Sequence, residues 1–495
     1  MRARISEKAT VGVVFTAAVF MSALDTTIVN VALPTIGRAF AVAPTAVDGI
    51  SVAYLVSLAL FMPVSGWLAD RFGGKRILLT ATVIFTVASA LCGAATGLGE
   101  LVAFRALQGV GGGMMTPVGM AMLFRAFPPG ERLRASAVLV VPTTLGPASG
   151  PVLGGLLVSE LSWRWVFWVN IPIGVAAVTF GAVFLRHRAE HRPGRFDLAG
   201  FLLSGAGLGL LMYGVSEGPN AGWASPVIVS GIVAGAILLA LTVLVEYRAA
   251  EPIVAVRLLG DRLFRSGTAA NILMTSGFIG TLFVMSLYLQ DGRGLGALAA
   301  GLSIFPEAVG VAVGSQLASR VLYPRFGPRR HMAGGLIGIA TAIGLMALLS
   351  AHSSLWWARL LMFAMGFGMA QVMLTTQTAS FATISSEATG RASTMFNAGR
   401  QLGAATGVAL LTTTIGLVGA THHVSGHLVA NLDAYRAAFL AAAAFCLAGV
   451  PFALLISDAD AAATIPARQA RRARRDRLGG PAPNAPAPLP RPSDP

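Results

Sequence analysis

Along this chain, long apolar stretches alternate with short polar links. They lie near residues 10–33, 47–67, 77–97, 101–123, 136–158, 164–185, 198–216, 226–245, 266–289, 297–319, 333–350, 355–380, 392–416 and 434–456. Each is close to the ~20 residues with which an α-helix crosses ~30 Å of hydrocarbon. The pattern predicts an all-α integral membrane protein with about fourteen spans. The first stretch is too long for a signal-peptide core and lacks a convincing cleavage site, so it reads as a retained helix. The links are too short for a folded extramembrane domain. After residue 457 the apolar pattern stops. Arg468 to Arg477 is a basic run and a Pro/Ala-rich end follows, which predicts disorder, with attraction to anionic lipid headgroups as an alternative role.

Composition agrees with this class: 55% of residues are hydrophobic and 12% charged, against about 25% charged in a soluble domain. The 58 glycines suit close helix packing in lipid. Cys92 and Cys446 both fall in apolar runs, too far apart in sequence for a disulfide framework or a metal spacing. A net charge of +15 raises the question of a nucleic-acid partner, and position answers it. With the N-terminus placed in the cytoplasm, 29 of the 36 Lys and Arg fall on that side. Arg38, Arg164, Arg293 and Arg436 fall on the other, and Arg105, Arg359 and Arg400 lie within helices. Such a bias orients a multi-pass protein in the cell (inner or plasma) membrane with both termini cytoplasmic. The basic charge therefore reflects orientation in the lipid bilayer, not nucleic-acid recognition.

The chain repeats itself. Arg134-Ala135-Ser136 with Leu145-Gly146-Pro147-Ala148-Ser149-Gly150 returns, 257 residues later, as Arg391-Ala392-Ser393 with Leu402-Gly403-Ala404-Ala405-Thr406-Gly407. Phe72-Gly73-Gly74-Lys75-Arg76 is echoed by Phe326-Gly327-Pro328-Arg329-Arg330. Two echoes in the same order predict two six-helix bundles, residues 1–186 and 266–457. Two linker helices are inserted at 187–265 and a tail occupies 458–495. Parallel halves around a midplane site are a transporter architecture.

Gly66-Trp67-Leu68-Ala69-Asp70-Arg71-Phe72-Gly73-Gly74-Lys75-Arg76 resembles the loop signature between helices 2 and 3 of the major facilitator superfamily. Leu101 to Arg105 with Gln108 and Gly109 is similar to its helix-4 signature, and Gly146, Gly150, Pro151, Gly154 and Gly155 to the helix-5 motif of its antiporters. Leu24 to Pro34, Trp163 to Phe167 with Asn170, Pro172 and Gly174, and Gly390 to Ser393 with Arg400 to Gly403 resemble the fourteen-helix drug:proton antiporters. The likeness runs from about residue 10 to 456. Relatives usually carry a Trp near the start of helix 2, where this chain has Asp48-Gly49. The resemblance implies a major facilitator fold with two extra helices, a gate at helix 5, and a latch at Gly66, Asp70, Arg71, Gly73, Lys75 and Arg76. The three basic residues there equally suit topology anchors.

The residues themselves carry chemistry. Glycines at four-residue spacing on helices 4 and 5 let backbones approach closely, and Pro147 and Pro151 bend helix 5, for dense packing or for gating. Asp70 sits at a helix C-terminus, where the dipole disfavours its charge, so it needs a partner. Ionisable groups inside a bilayer are costly and by default functional. Asp25 and Arg105 lie at similar depth and can pair or share a cavity. Glu307 lies near the midplane, with Gly310 and Gly314 on its face, and Arg400 lies at similar depth. They form either a structural pair or a proton-loading carboxyl beside a cation. Proton coupling is accordingly placed on Asp25, Glu307 and Arg105. The substrate cavity is placed on Asn30, Gln108, Thr116, Asn271, Gln371, Gln377 and Arg400.

No phosphate-binding G-x-x-x-x-G-K-[ST] loop, H-E-x-x-H or G-x-S-x-G occurs, which argues against an ATP-driven pump and a membrane hydrolase. His422, His423 and His427 read as exposed loop histidines before a metal site. The expected function is proton-driven export of lipophilic or cationic drugs, dyes or natural products by a cofactor-free, monomeric carrier that is not an enzyme. The same fold exporting an endogenous lipid, a metabolite or a non-cationic antibiotic is the alternative, and an uncoupled channel or sensor the third.

Overall fold

The computed structural model describes residues 6–42, 44–127, 131, 145–147, 149–150, 152–186, 196–248, 256–385, 388–419, 421–424, 427–458 and 461. Nearly all are helical. The first half holds α1 (Glu7–Ala39), α2 (Pro44–Phe72), α3 (Gly74–Ala94), α4 (Leu98–Ala126), α5 (turns at 145–147, 149–150 and 152–160) and α6 (Asn170–Phe184). Then come α7 (Leu198–Ala221) and α8 (Pro226–Arg248). The rest holds α9 (Arg262–Leu287), α10 in two pieces (Ala297–Ile304 and Pro306–Leu317), α11 (Tyr323–Met346), α12 (Leu355–Ser380), α13 (Thr389–Val418) and α14 (Leu432–Ala448). Strands β1 (Thr421–Val424) and β2 (His427–Ala430) form an antiparallel ladder before α14. His422, His423 and His427 lie on it, and no group of three metal-ligating side chains occurs among the described residues. The tail beyond 461, Pro151 and most of the 128–144 link lie outside the described residues.

Helix starts follow local chemistry: Ser6, Asp197, Asp261, Ser354 and Asn431 each accept a hydrogen bond from a backbone N–H of the turn they open. Eleven stretches among the described residues are long and apolar enough to cross a membrane. One of them, Leu298–Met346, has 49 residues, enough for two crossings at 1.5 Å per residue, and turns at Gly327. Outward faces are apolar: Val229, Val233, Ile237 and Leu244 of α8 are exposed, as lipid contact requires.

Tight glycine seams replace hydrophobic driving force between helices. A Cβ on Gly109 would lie 2.5 Å from the Tyr54 carbonyl, and one on Gly113 2.5 Å from that of Leu58, so α4 presses on α2. The sequence repeat returns as repeated packing. Gly146 and Gly150 of α5 abut Leu24 and Thr27 of α1, while Gly403 and Gly407 of α13 abut Ile272 and Ser276 of α9. The second echo returns as backbone geometry: Gly73 has φ 89° and Gly327 φ 75°, a region that β-carbon-bearing residues rarely adopt. Helices α7 and α8 pack on each other, and α7 also lies against α2 and α13.

Candidate functional site

Two polar centres lie within the helices. In the first, α1 presents Asp25 and α4 presents Arg105 and Gln108, one helical turn apart. Arg105 Nη1 donates to Asp25 Oδ2 at 2.5 Å and to Gln108 Oε1 at 2.8 Å. Gln108 Nε2 and Asn170 Nδ2 donate to Asp25 Oδ1 at 3.0 and 3.3 Å. Arg105 Nε reaches the Ile50 carbonyl, and the guanidinium lies 4.2 Å from the Tyr54 ring centroid. All of these side chains are buried. The charge is paired and its lone pairs are filled, which is what makes a buried ion pair tolerable.

The second centre is the reverse. A small cavity is lined by Glu307 and Arg400, by Asn271 and Thr275, by Met274, Met369, Met373 and Phe278 with neighbouring aliphatics, and by Pro147 of α5. Glu307 is fully buried, and neither carboxyl oxygen meets a hydrogen-bond partner among the described residues. Both amide atoms of Asn271 are likewise buried without partners. Glu307 and Arg400 share the cavity wall but form no ion pair there. The close α10–α12 seam, where a Cβ on Gly366 would meet the Glu307 carbonyl at 2.1 Å, fixes where the carboxyl stands. Its lining, mostly apolar with a few convergent polar groups, has the composition of a ligand site.

One end of the molecule is closed. We call it the basic end, since Arg71, Lys75, Arg76, Arg329 and Arg330 lie there. Phe124 of α4 lies 4.9 Å from Phe381, centroid to centroid, and Phe381 packs on Phe264 and Phe396. The hydroxyls of Ser65 and Thr394 hydrogen-bond at 3.3 Å, joining α2 to α13. Asp70 accepts from Arg125 Nη2 at 2.9 Å, and its carboxylate lies beside Gly390. Gly66 is buried against Thr394 and Gly390, so α2 meets α13 there.

A family model described as Major Facilitator Superfamily matches residues 15–408. The chain belongs to the major facilitator superfamily. It is therefore a membrane transporter and not an enzyme, in a superfamily that generally works without a cofactor on small-molecule substrates. It is 31% identical over 410 residues to a multidrug resistance protein B homolog of Mycobacterium tuberculosis, covering 82% of this chain and 76% of that protein. It is 33% identical to the putative multidrug resistance protein MdtD of Klebsiella pneumoniae, over 81% of this chain and 85% of that one. The tetracenomycin C resistance and export protein of Streptomyces glaucescens is 32% identical, over 79% of this chain and 73% of that one. Among solved structures, the human organic anion transporter MFSD10 superposes with a TM-score of 0.64 at 16% identity, over 91% of this chain and all of that one.

Within this superfamily fold the anticipated residues separate. Asp25, Arg105 and Gln108 assemble into one buried network, while Glu307, Asn271 and Arg400 line the cavity. Asn30 is exposed and accepts from Ser51 at 3.2 Å, and Thr116 is half-buried outside the cavity wall. Gln371 is held inside the second half, donating to the Gly314 carbonyl at 3.1 Å and bonded to His331 Nε2 at 2.8 Å. Gln377 lies buried below the cavity wall on α12. At the basic end Lys75 Nζ donates to the Ala182 and Leu185 carbonyls at 2.9 and 2.6 Å, capping the end of α6, while Arg71 and Arg76 are not buried. Gly154 abuts Ile28 and Gly155 faces open space.

Sequence reasoning missed three things. Asn170 and Ser89 extend the Asp25 network, with Asn170 Nδ2 donating to Ser89 Oγ at 3.1 Å; Asn170 stood in a quoted motif but had no assigned partner. His331 sits between Gln371 and Thr375. The aromatic plug at the basic end comes from four separate segments, and no local pattern announces it.

Proposed function

We propose that this transporter is a proton-coupled exporter of amphiphilic drugs or related natural products, working by alternating access. The observation that carries the proposal is Glu307, a buried carboxyl without a partner among the described residues, in a cavity that also touches α5. An unpaired buried carboxylate costs several kcal/mol, so this arrangement favours the proton-loaded form. A bound proton leaves when substrate or the opposite facing of the cavity stabilises the charge. Competition between proton and substrate gives antiport. The names of the relatives support drug export, and the methionine-rich wall suits varied apolar bodies.

In this reading the basic end and both termini are on the cytoplasmic side of the cell membrane, and fourteen helices span it. Residues 1–186 and 266–457 form the two halves, with 187–265 as an inserted pair, in a monomer. The matched glycine seams of α5 on α1 and of α13 on α9 support that division. Asp25 and Arg105 form a charge-compensated structural pair near the cavity, leaving Glu307 as proton carrier. The latch at Asp70 holds the state described above.

The test is efflux of ethidium from proteoliposomes under an imposed pH gradient. Native protein transports. Glu307→Gln loses gradient-driven transport yet still equilibrates dye down its own gradient, whereas undiminished driven efflux in that variant overturns the assignment.

A further inference from the structure

The walls of the cavity continue towards the basic end as polar rows. On α9 the cavity face is Asn271, Met274, Thr275 and Phe278; three residues before Asn271, on the same face, stands Thr268. On α12 the face is Met369 and Met373; its continuation is Gln377 and Ser380. The two helices run antiparallel, and a Cβ on Gly267 would fall 1.9 Å from Ser380 Oγ, so these continuations meet at one level. On α13, seven residues before the cavity residue Arg400 and on the same face, stands Ser393.

Each carries a buried polar atom that meets no hydrogen-bond partner among the described residues: Asn271 Oδ1 and Nδ2, Thr268 Oγ1, Gln377 Oε1, Ser380 Oγ and Ser393 Oγ. Buried polar atoms are nearly always satisfied, by protein or by ordered water. Here they follow the cavity faces of α9, α12 and α13 from the wall that Glu307 shares towards the helix ends that carry Phe264, Phe381 and Phe396.

We infer that Asn271, Thr268, Gln377, Ser380 and Ser393 hold a file of water that carries the Glu307 proton to the basic end, past a plug that substrate does not pass. The inference rests on Glu307 as the proton carrier. The step moves no electrons. Glu307 gives its proton to the first water, each water or hydroxyl accepts one proton and passes on its own, and the last proton leaves at the basic end. The amide oxygens of Asn271 and Gln377 hold waters by accepting from them, and the hydroxyls accept and donate. Protons enter the file only by occupying Glu307, which ties conduction to the transport cycle. The row spans ~14 Å along α9 and α12, from the level of Asn271 to the helix ends.

The experiment compares native protein with Thr268→Val, Ser380→Ala and Gln377→Met in proteoliposomes, using ethidium. Two rates are read: efflux driven by a pH gradient, and dye–dye exchange at equal pH on both sides, which needs no net proton movement. The expected result is driven efflux slowed about tenfold with exchange unchanged, restoration by Thr268→Ser, and a larger solvent deuterium effect than native. Native driven rates in all three variants overturn the water file. Exchange lost in parallel with driven efflux also overturns it, since that result marks the row as packing. If Glu307→Gln itself keeps driven efflux, the parent reading fails; if it loses efflux while the row variants keep theirs, only the file fails.

Discussion

At Asp25 the carboxylate accepts from Arg105, Gln108 and Asn170, and at Glu307 it accepts from nothing among the described residues. Removing one member of the first network strands a buried charge. Asp25→Asn is therefore expected to lower stability by ~3–5 kcal/mol, read as a fall in the unfolding temperature in detergent, and Asp25→Asn with Arg105→Gln recovers part of the loss. An unchanged unfolding temperature in Asp25→Asn would show that the pair is not structural. Glu307→Gln is expected to leave that temperature level or raise it, because no partner is lost. Its effect falls on pH dependence. If proton and substrate compete for Glu307 as proposed, ethidium binding weakens as pH falls in the native protein and is flat in Glu307→Gln. Both acids were visible in the sequence as intramembrane charges. What separated them was not, because Asn170 lies 145 residues from Asp25 and no spacing announces that contact.

Among the helices, the seams give the sharpest expectations. A side chain at Gly407 would meet the Ser276 carbonyl at 2.1 Å, whereas a Cβ on Gly416 of the same helix meets nothing within 4 Å among the described residues. Gly407→Val should sharply reduce the yield of monodisperse protein on size exclusion, and Gly416→Ala should not; equal yields would contradict the packing described. The α5 and α13 glycines were legible because they repeat at a constant offset, and a conserved offset implies a conserved contact. The break in α10 was less so. Pro306 marks it, but a proline in an apolar run does not say whether a helix bends or stops. The His331–Gln371–Thr375 triangle was illegible as well, since Gln371 reads equally as a cavity group until α11 is placed on α12. Helix spans were the easiest to read, because each needs only its own apolar length.

For the whole molecule, closure at the basic end is held by Ser65 with Thr394 and by the phenylalanine plug, with the Asp70 carboxylate beside Gly390. A disulfide between Ser65→Cys and Thr394→Cys should form readily and stop transport until reduced; oxidised protein that still transports would mean this contact never has to open. The inserted pair adds a tie at the other end, where Trp223 Nε1 donates to Thr413 Oγ1 at 2.7 Å and joins the α7–α8 link to α13. The central claim is that one proton on Glu307 is exchanged for substrate. The direct measurement is proton release on adding ethidium to purified protein in weakly buffered detergent solution. The account predicts release of close to one proton per bound dye near neutral pH in the native protein, with none in Glu307→Gln and native release in Thr268→Val. Saturable dye binding without proton release in the native protein, or undiminished release in Glu307→Gln, would contradict it.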